Sequence, residues 1–147
     1  VGVVGKDLLM EFGDEGFYEV LDLGIARCRL MTAGSGHDRR PASAKMRVAT
    51  KFVNVARAHY SARGIQANII KLYGAMELAP IMNLADEIVD IVDTGNTLKA
   101  NGMRPLEHIA DVSLRLIVNK ASMRTRNPII ASLIEQISTA VASRQGD

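Results

Sequence analysis

A chain of 147 residues that is 48% hydrophobic and 23% charged suits one globular domain or two small lobes, and it excludes disorder and collagen-like character. With 4% aromatic residues and no Trp, the core has to be built from Ile, Val, Leu, Met and Ala. Eighteen Lys and Arg against 16 Asp and Glu leave a net charge of +2, which by itself implies neither a nucleic-acid nor a membrane partner.

Cys28 is the single cysteine, which excludes an internal disulfide framework and a cysteine-rich zinc site and points to a reducing, cytoplasmic setting. No apolar run approaches the ~18 residues of a membrane span, and no charged leader precedes an apolar stretch. The apolar opening Val1-Gly2-Val3-Val4-Gly5 reads as a strand entered midway, so further sequence upstream is expected.

In chain order, residues 1–4 read as a strand end and Gly5-Lys6-Asp7 as a turn. A short helix through Leu8, Leu9 and Phe12 follows, stopped by Gly13. Apolar runs at 17–23 and 26–32 read as strands separated by Gly24. The polar segment 33–45, with Gly34, Ser35, Gly36, Pro41 and Ser43 among basic residues, reads as a loop at a lobe boundary. Strand 47–50, helix 53–62 closed by Arg63-Gly64, and strand 67–72 form a βαβ unit. A second helix is expected through Met76, Leu78, Ala79 and Met82, with its methionines in the core. The β-branched run 88–92 suits a buried parallel strand. A short helical turn ending at Asn101-Gly102, a strand near His108 and Ile109, and a strand at 113–119 come next. The last element is a helix at 128–143 with Ile130, Leu133, Ile134, Ile137 and Val141 on one face, suited to packing on a sheet.

The segment Asp90-Ile91-Val92-Asp93-Thr94-Gly95-Asn96-Thr97 carries the most chemistry. A buried strand ending in a glycine-containing loop at the start of a helix gathers free N–H groups around one point, which suits a phosphate. Thr94 and Thr97 add hydroxyls, and Asp90 is placed to reach sugar hydroxyls or hydrated magnesium. The same residues also fit a plain helix start capped by Thr94 or Asn96. His37, His59 and His108 show no metal spacing with each other or with Cys28, so no protein-held metal is expected. Cys28 reads as a small buried strand residue, and Arg39, Arg40, Lys45 and Arg47 as a solvated loop without the aromatic interleaving of a nucleic-acid surface.

The colinear motifs VGVVGKDLL at 1–9, RCRLMTA at 27–33, RVATKF at 47–52, IIKLYGAMELAPIMNLADEIVDIVDTGNTLKAN at 69–101, and DVSLRLIVNKAS at 111–122 together resemble ATP phosphoribosyltransferases. The resemblance implies an α/β fold with two lobes, similar to type II periplasmic binding proteins. Residues 1–32 and 112–147 would belong to the first lobe, incomplete here, and 33–111 to the second. It implies transfer of phosphoribosyl from phosphoribosyl pyrophosphate to N1 of ATP, with magnesium present, as the first step of histidine biosynthesis. Asp90 to Thr97 would then bind the 5-phosphate, with Asp90 also facing the ribose.

The resemblance further places Glu77 in a second active-site loop, where the helix dipole alone would also favour a glutamate. It puts Gly5, Lys6 and Asp7 near the nucleotide cleft, although Asp7 also fits a helix cap. Lys51 follows a strand end, as a cation for pyrophosphate or as a solvated surface lysine. The short form of the family implies a separate regulatory subunit resembling histidyl-tRNA synthetase, and a homodimer within a hetero-octamer. It also implies an upstream segment with a basic PKGR-like motif, outside these residues. A non-catalytic small-ligand binding module and an inactive subunit are the rival readings, because one fold serves many functions.

Overall fold

The computed structural model describes residues 1–36 and 44–145, and most of the polar loop, with His37, Arg39, Arg40, Pro41 and Ser43, lies outside them. The strands are β1 (Gly2–Gly5), β2 (Phe17–Asp22), β3 (Cys28–Gly34), β4 (Met46–Thr50), β5 (Ala67–Lys71), β6 (Glu87–Val92), β7 (Arg104–Val112) and β8 (Leu114–Asn119). The helices are α1 (Lys6–Phe12), α2 (Val53–Ala62), α3 (Asn96–Ala100), α4 (Lys120–Thr125) and α5 (Asn127–Gln145). The chain forms two compact units, one of Val1–Arg27 with Val112–Asp147, the other of Cys28–Asp111. Among the described residues no helix is long and apolar enough to cross a membrane.

The second unit is built on a five-stranded sheet in the order β5-β4-β6-β3-β7. Val48, Ala49 and Thr50 of β4 are completely buried, and so are Ile88 and Val89 of β6 beside them, as continuous β-branched and small residues require of central strands. β4 runs parallel to β5 and to β6, but β6 runs antiparallel to β3, so the sheet is mixed where a parallel setting was expected for residues 88–92. β3 joins this sheet by pairing Arg29 with Val92 through Ala33 with Ile88. The second unit therefore begins at Cys28, whereas the sequence pattern put the boundary at residue 33 and the strand at 26–32. Cys28, at the strand's edge, is half-buried rather than fully enclosed.

The helix expected through Met82 is replaced by a single 3₁₀ turn, Met76–Leu78, followed by turns. Pro80 has no N–H to return to Met76, and the left-handed residues Ala75 (φ 56) and Asn83 (φ 57) bound the segment on either side. Met76 and Ala79 enter the core with Ile88, Val92 and Leu98, while Met82 is 64% exposed. Arg47 holds this irregular segment from β4, donating to the Asn83 carbonyl and side chain and to both oxygens of Asp86.

The first unit carries an antiparallel sheet in the order β1-β8-β2, with a bulge in β2 between Glu19 and Leu21. Asn119 starts α4, an element absent from the sequence reading, by accepting from the Ala121 and Ser122 amides at 2.9 and 3.2 Å. Of the expected apolar face of α5, Ile130 is buried, Ile134, Ile137 and Val141 are half-buried, and Leu133 is exposed.

Candidate functional site

The connections of the second unit place one position apart from the rest. From the carboxyl end of β4 the chain leaves through α2 to β5 on one side, and from the carboxyl end of β6 it leaves through α3 toward β7 on the other. Adjacent parallel strands whose connections diverge leave a crevice outside their carboxyl ends, where open α/β sheets bind ligands. The pairing of Thr50 with Val89 brings the next residues, Lys51 and Asp90, to that crevice.

Asp90 is half-buried, and its Oδ1 accepts from the Ile91 N–H at 2.8 Å. Burial pushes the carboxyl above its ordinary pKa; the Ile91 bond and the Lys51 charge pull it back, and the like charge of Glu77 adds to the rise. Three candidates from separate sequence segments therefore lie within electrostatic reach of one another. Glu77 is half-buried on the 3₁₀ turn that packs against β6, while Lys51 is exposed, its Nζ 5.1 Å from the centre of the Phe52 ring.

The loop 93–97 follows at once. Gly95 has φ +81, a conformation that side chains rarely adopt, and it precedes α3 without any side-chain cap. Neither Thr94 nor Asn96 caps the helix; instead the Thr94 hydroxyl accepts from the Asn96 N–H at 3.3 Å and tightens the loop. The amides of Thr94 and Gly95 donate to no acceptor among the described residues. Buried Leu98 pins α3 to the core, so these donors sit on an anchored turn whose residues Asp93, Thr94, Asn96 and Thr97 are exposed. Ile91 is half-buried and Val92 fully buried, which leaves them as the supporting strand.

Two supporting residues escaped the sequence reading. Thr50 is completely buried, and its hydroxyl donates to the Val89 carbonyl at 2.7 Å while accepting from the Phe52 N–H at 2.9 Å. It thereby locks the turn that carries Lys51 beside Asp90. The one visible signal was a hydroxyl at the inner end of an apolar strand. Arg29, exposed on β3, donates from Nη2 to the Asp93 carbonyl at 3.3 Å.

Gly5, Lys6 and Asp7 belong to the first unit. Lys6 Nζ is paired with Glu19 Oε2 at 2.8 Å, in a network where Arg115 binds Glu19 at 3.0 Å and Asp22 at 3.4 Å. Hydrogen bonds from Ser113 and the Gly24 N–H, with the Arg115 charge, hold the Asp22 carboxyl below its ordinary pKa. Asp7 does not cap α1; its carboxylate lies against Gly5, where an added Cβ would collide with it. A cavity of about 640 Å³ opens at the other end of the second unit's sheet, lined by Gly34, Met46, Glu87 and Arg104, and it contains none of the candidates. No group of three or more His, Cys, Asp or Glu suited to a metal occurs among the described residues.

The profile of a family described as "HisG: ATP phosphoribosyltransferase" matches residues 1–139. The chain belongs to the ATP phosphoribosyltransferase family. It is 66% identical over 145 residues to the ATP phosphoribosyltransferase of Chromohalobacter salexigens, covering 99% of this chain and 67% of that one. A solved ATP phosphoribosyltransferase HisG:HisZ complex from Thermotoga maritima superposes with a TM-score of 0.84 at 33% identity, over 97% of this chain and 70% of that chain. A TctC solute-binding protein from Polaromonas matches with a TM-score of 0.57 at 13% identity, over 96% and 63%, a likeness of fold alone. The fold is thus the two-lobed α/β type of periplasmic binding proteins, and the family match decides for the transferase over a receptor. The activity is transfer of phosphoribosyl from phosphoribosyl pyrophosphate to ATP, the first step of histidine biosynthesis.

Proposed function

We propose that the crevice outside β4 and β6 is the site for the phosphoribosyl donor. The loop Asp93, Thr94, Gly95, Asn96 and Thr97 binds its 5-phosphate, and Asp90 faces the ribose hydroxyls. The observation that carries this reading is the half-buried Asp90 carboxylate within electrostatic reach of Lys51 and Glu77, on the strand that leads into a loop whose Thr94 and Gly95 amides have no acceptor among the described residues. Displacement at the anomeric carbon builds positive charge on the ribose, so a fixed carboxylate close to the ring stabilises the transition state more than the ground state. Lys51 then meets the departing pyrophosphate and favours the ionised form of Asp90, whereas Glu77 raises the pH at which Asp90 takes up its proton.

Gly5, Lys6 and Asp7 are proposed for the nucleotide, with Lys6 acting through its pair with Glu19 rather than as a free cation. Magnesium, which the family resemblance implies, would accompany the donor's pyrophosphate and neutralise its charge, with Asp90 placed to reach the ribose hydroxyls or a hydrated ion. The Thermotoga relative, solved as a HisG:HisZ complex, supports a HisZ-like regulatory partner; that this subunit resembles histidyl-tRNA synthetase and joins a homodimer of the catalytic chain in a hetero-octamer is proposed from the short form of the family. A cytoplasmic location accords with the single cysteine.

Calorimetry on Gly95→Val tests the donor site. A β-branched side chain at φ +81 distorts the loop, and donor affinity should fall by about tenfold or more while ATP affinity holds. Unchanged donor affinity would remove the loop from the site.

A further inference from the structure

We propose that Arg29 is a positioning residue of the phosphate loop, acting through the Asp93 carbonyl on the Thr94 amide; this rests on the donor-site reading above. β3 is antiparallel to β6, so its first residues stand at the carboxyl end of β6, and Arg29 is paired with Val92 one residue before the loop. Completely buried Leu30 fixes the backbone beside it, while the guanidinium reaches outward to the Asp93 oxygen. In a trans peptide the carbonyl and the N–H point in opposite directions, and the described residues contain no cis bond. Fastening the Asp93 oxygen to the Arg29 guanidinium therefore turns the Thr94 N–H away from it, and that N–H has no acceptor among the described residues.

The loop needs such a tie. Among the described residues the Arg29 bond is the one hydrogen bond to the 93–94 peptide, because the Thr94 N–H has no acceptor and the residues around Gly95, at φ +81, are exposed. A donor that has to be oriented at each encounter loses affinity to that ordering; one oriented beforehand does not. The Thr94 hydroxyl already accepts from Asn96, so its bond secures the far side of the turn and the arginine secures the near side.

The test uses the active enzyme with Arg29→Met, which keeps the stem and removes the donors, and Arg29→Lys, which keeps a charged donor. Amide resonances of residues 93–97 are followed during titration with inorganic phosphate, alongside steady-state kinetics. In the unaltered protein phosphate should shift the Thr94 and Gly95 amides downfield. Arg29→Met should lose the Thr94 shift and keep that of Gly95, and raise the KM for phosphoribosyl pyrophosphate about tenfold, as expected for one charge-assisted donor lost. Its kcat, its KM for ATP and its thermal midpoint should stay put, and Arg29→Lys should restore much of the loss. An unaltered Thr94 shift in Arg29→Met, or equal weakening toward both substrates, overturns the inference and leaves the donor site standing if Gly95→Val still loses affinity. If phosphate moves none of these amides in the unaltered protein, the donor-site reading itself fails.

Discussion

Replacing Asp90 by Asn separates a functional carboxylate from a structural one, because the two roles predict opposite changes in stability. The amide keeps the shape and leaves an oxygen to accept from the Ile91 N–H, so one neutral hydrogen bond remains in place of a charge-assisted one, a loss of about 1 kcal/mol. Against that stands the removal of a charge whose burial is the largest influence on its titration. The folded-state pKa lies above the ordinary 3.8, so between those two values the native state binds more protons than the unfolded chain. Stability contributed by the protonated acid is thus present at low pH and lost as pH rises through the folded pKa. At pH 8 the unaltered protein carries the full cost of the buried charge, and Asp90→Asn should melt at the same temperature or higher. At pH 4 that advantage should shrink. Turnover should nevertheless fall roughly 10²-fold or more, the range for removing a group that meets charge developing in the transition state. Thermal scans at the two pH values and kcat with saturating substrates decide it. A variant that loses several degrees at pH 8 along with its activity would make Asp90 a structural carboxylate.

The two charged neighbours of Asp90 should move its titration in opposite directions. Glu77→Gln removes a like charge and should shift the acidic limb of the rate profile to lower pH, whereas Lys51→Met should shift it upward; identical limbs in both variants would exclude Asp90 as the titrating group. Thr50→Val leaves the buried Val89 carbonyl and Phe52 N–H without their hydroxyl partner and should cost about 2–4 kcal/mol in denaturant melts, with Thr50→Ser recovering most of it. For the assembly, histidine should inhibit only when the synthetase-like subunit is mixed in, since an inhibitor has to favour one state of the complex over another; inhibition of the isolated catalytic chain would contradict the hetero-oligomer.

What was legible in the sequence follows from the range of the interactions involved. Helix α2 and strand β6 could be read because their residues declare themselves locally: buried Val55, Ala56 and Tyr60 on one face, and a β-branched run in β6. The segment after Met76 misled because its apolar spacing matched a helix, while the left-handed turns at Ala75 and Asn83 are enforced by burial of Met76 and Ala79 and by Arg47 from another strand. The mixed orientation of β6 was invisible for a similar reason, since the partner at β3 lies far back in the chain.

The site divides along the same line. Asp90 and its loop could be named because a glycine and two threonines after a buried strand form a local pattern. Lys51 and Glu77 were candidates that fitted a surface lysine and a helix start equally well; β4 and the 3₁₀ turn bring their charges within reach of Asp90. Thr50 and Arg29 act through carbonyls 39 and 64 residues further along, so no window of sequence contains both partners. The groups expected to meet substrate are thus local in sequence, and those that aim them are not. Substitutions at Thr50 or Arg29 should therefore change the site's geometry without touching a residue that a motif would single out.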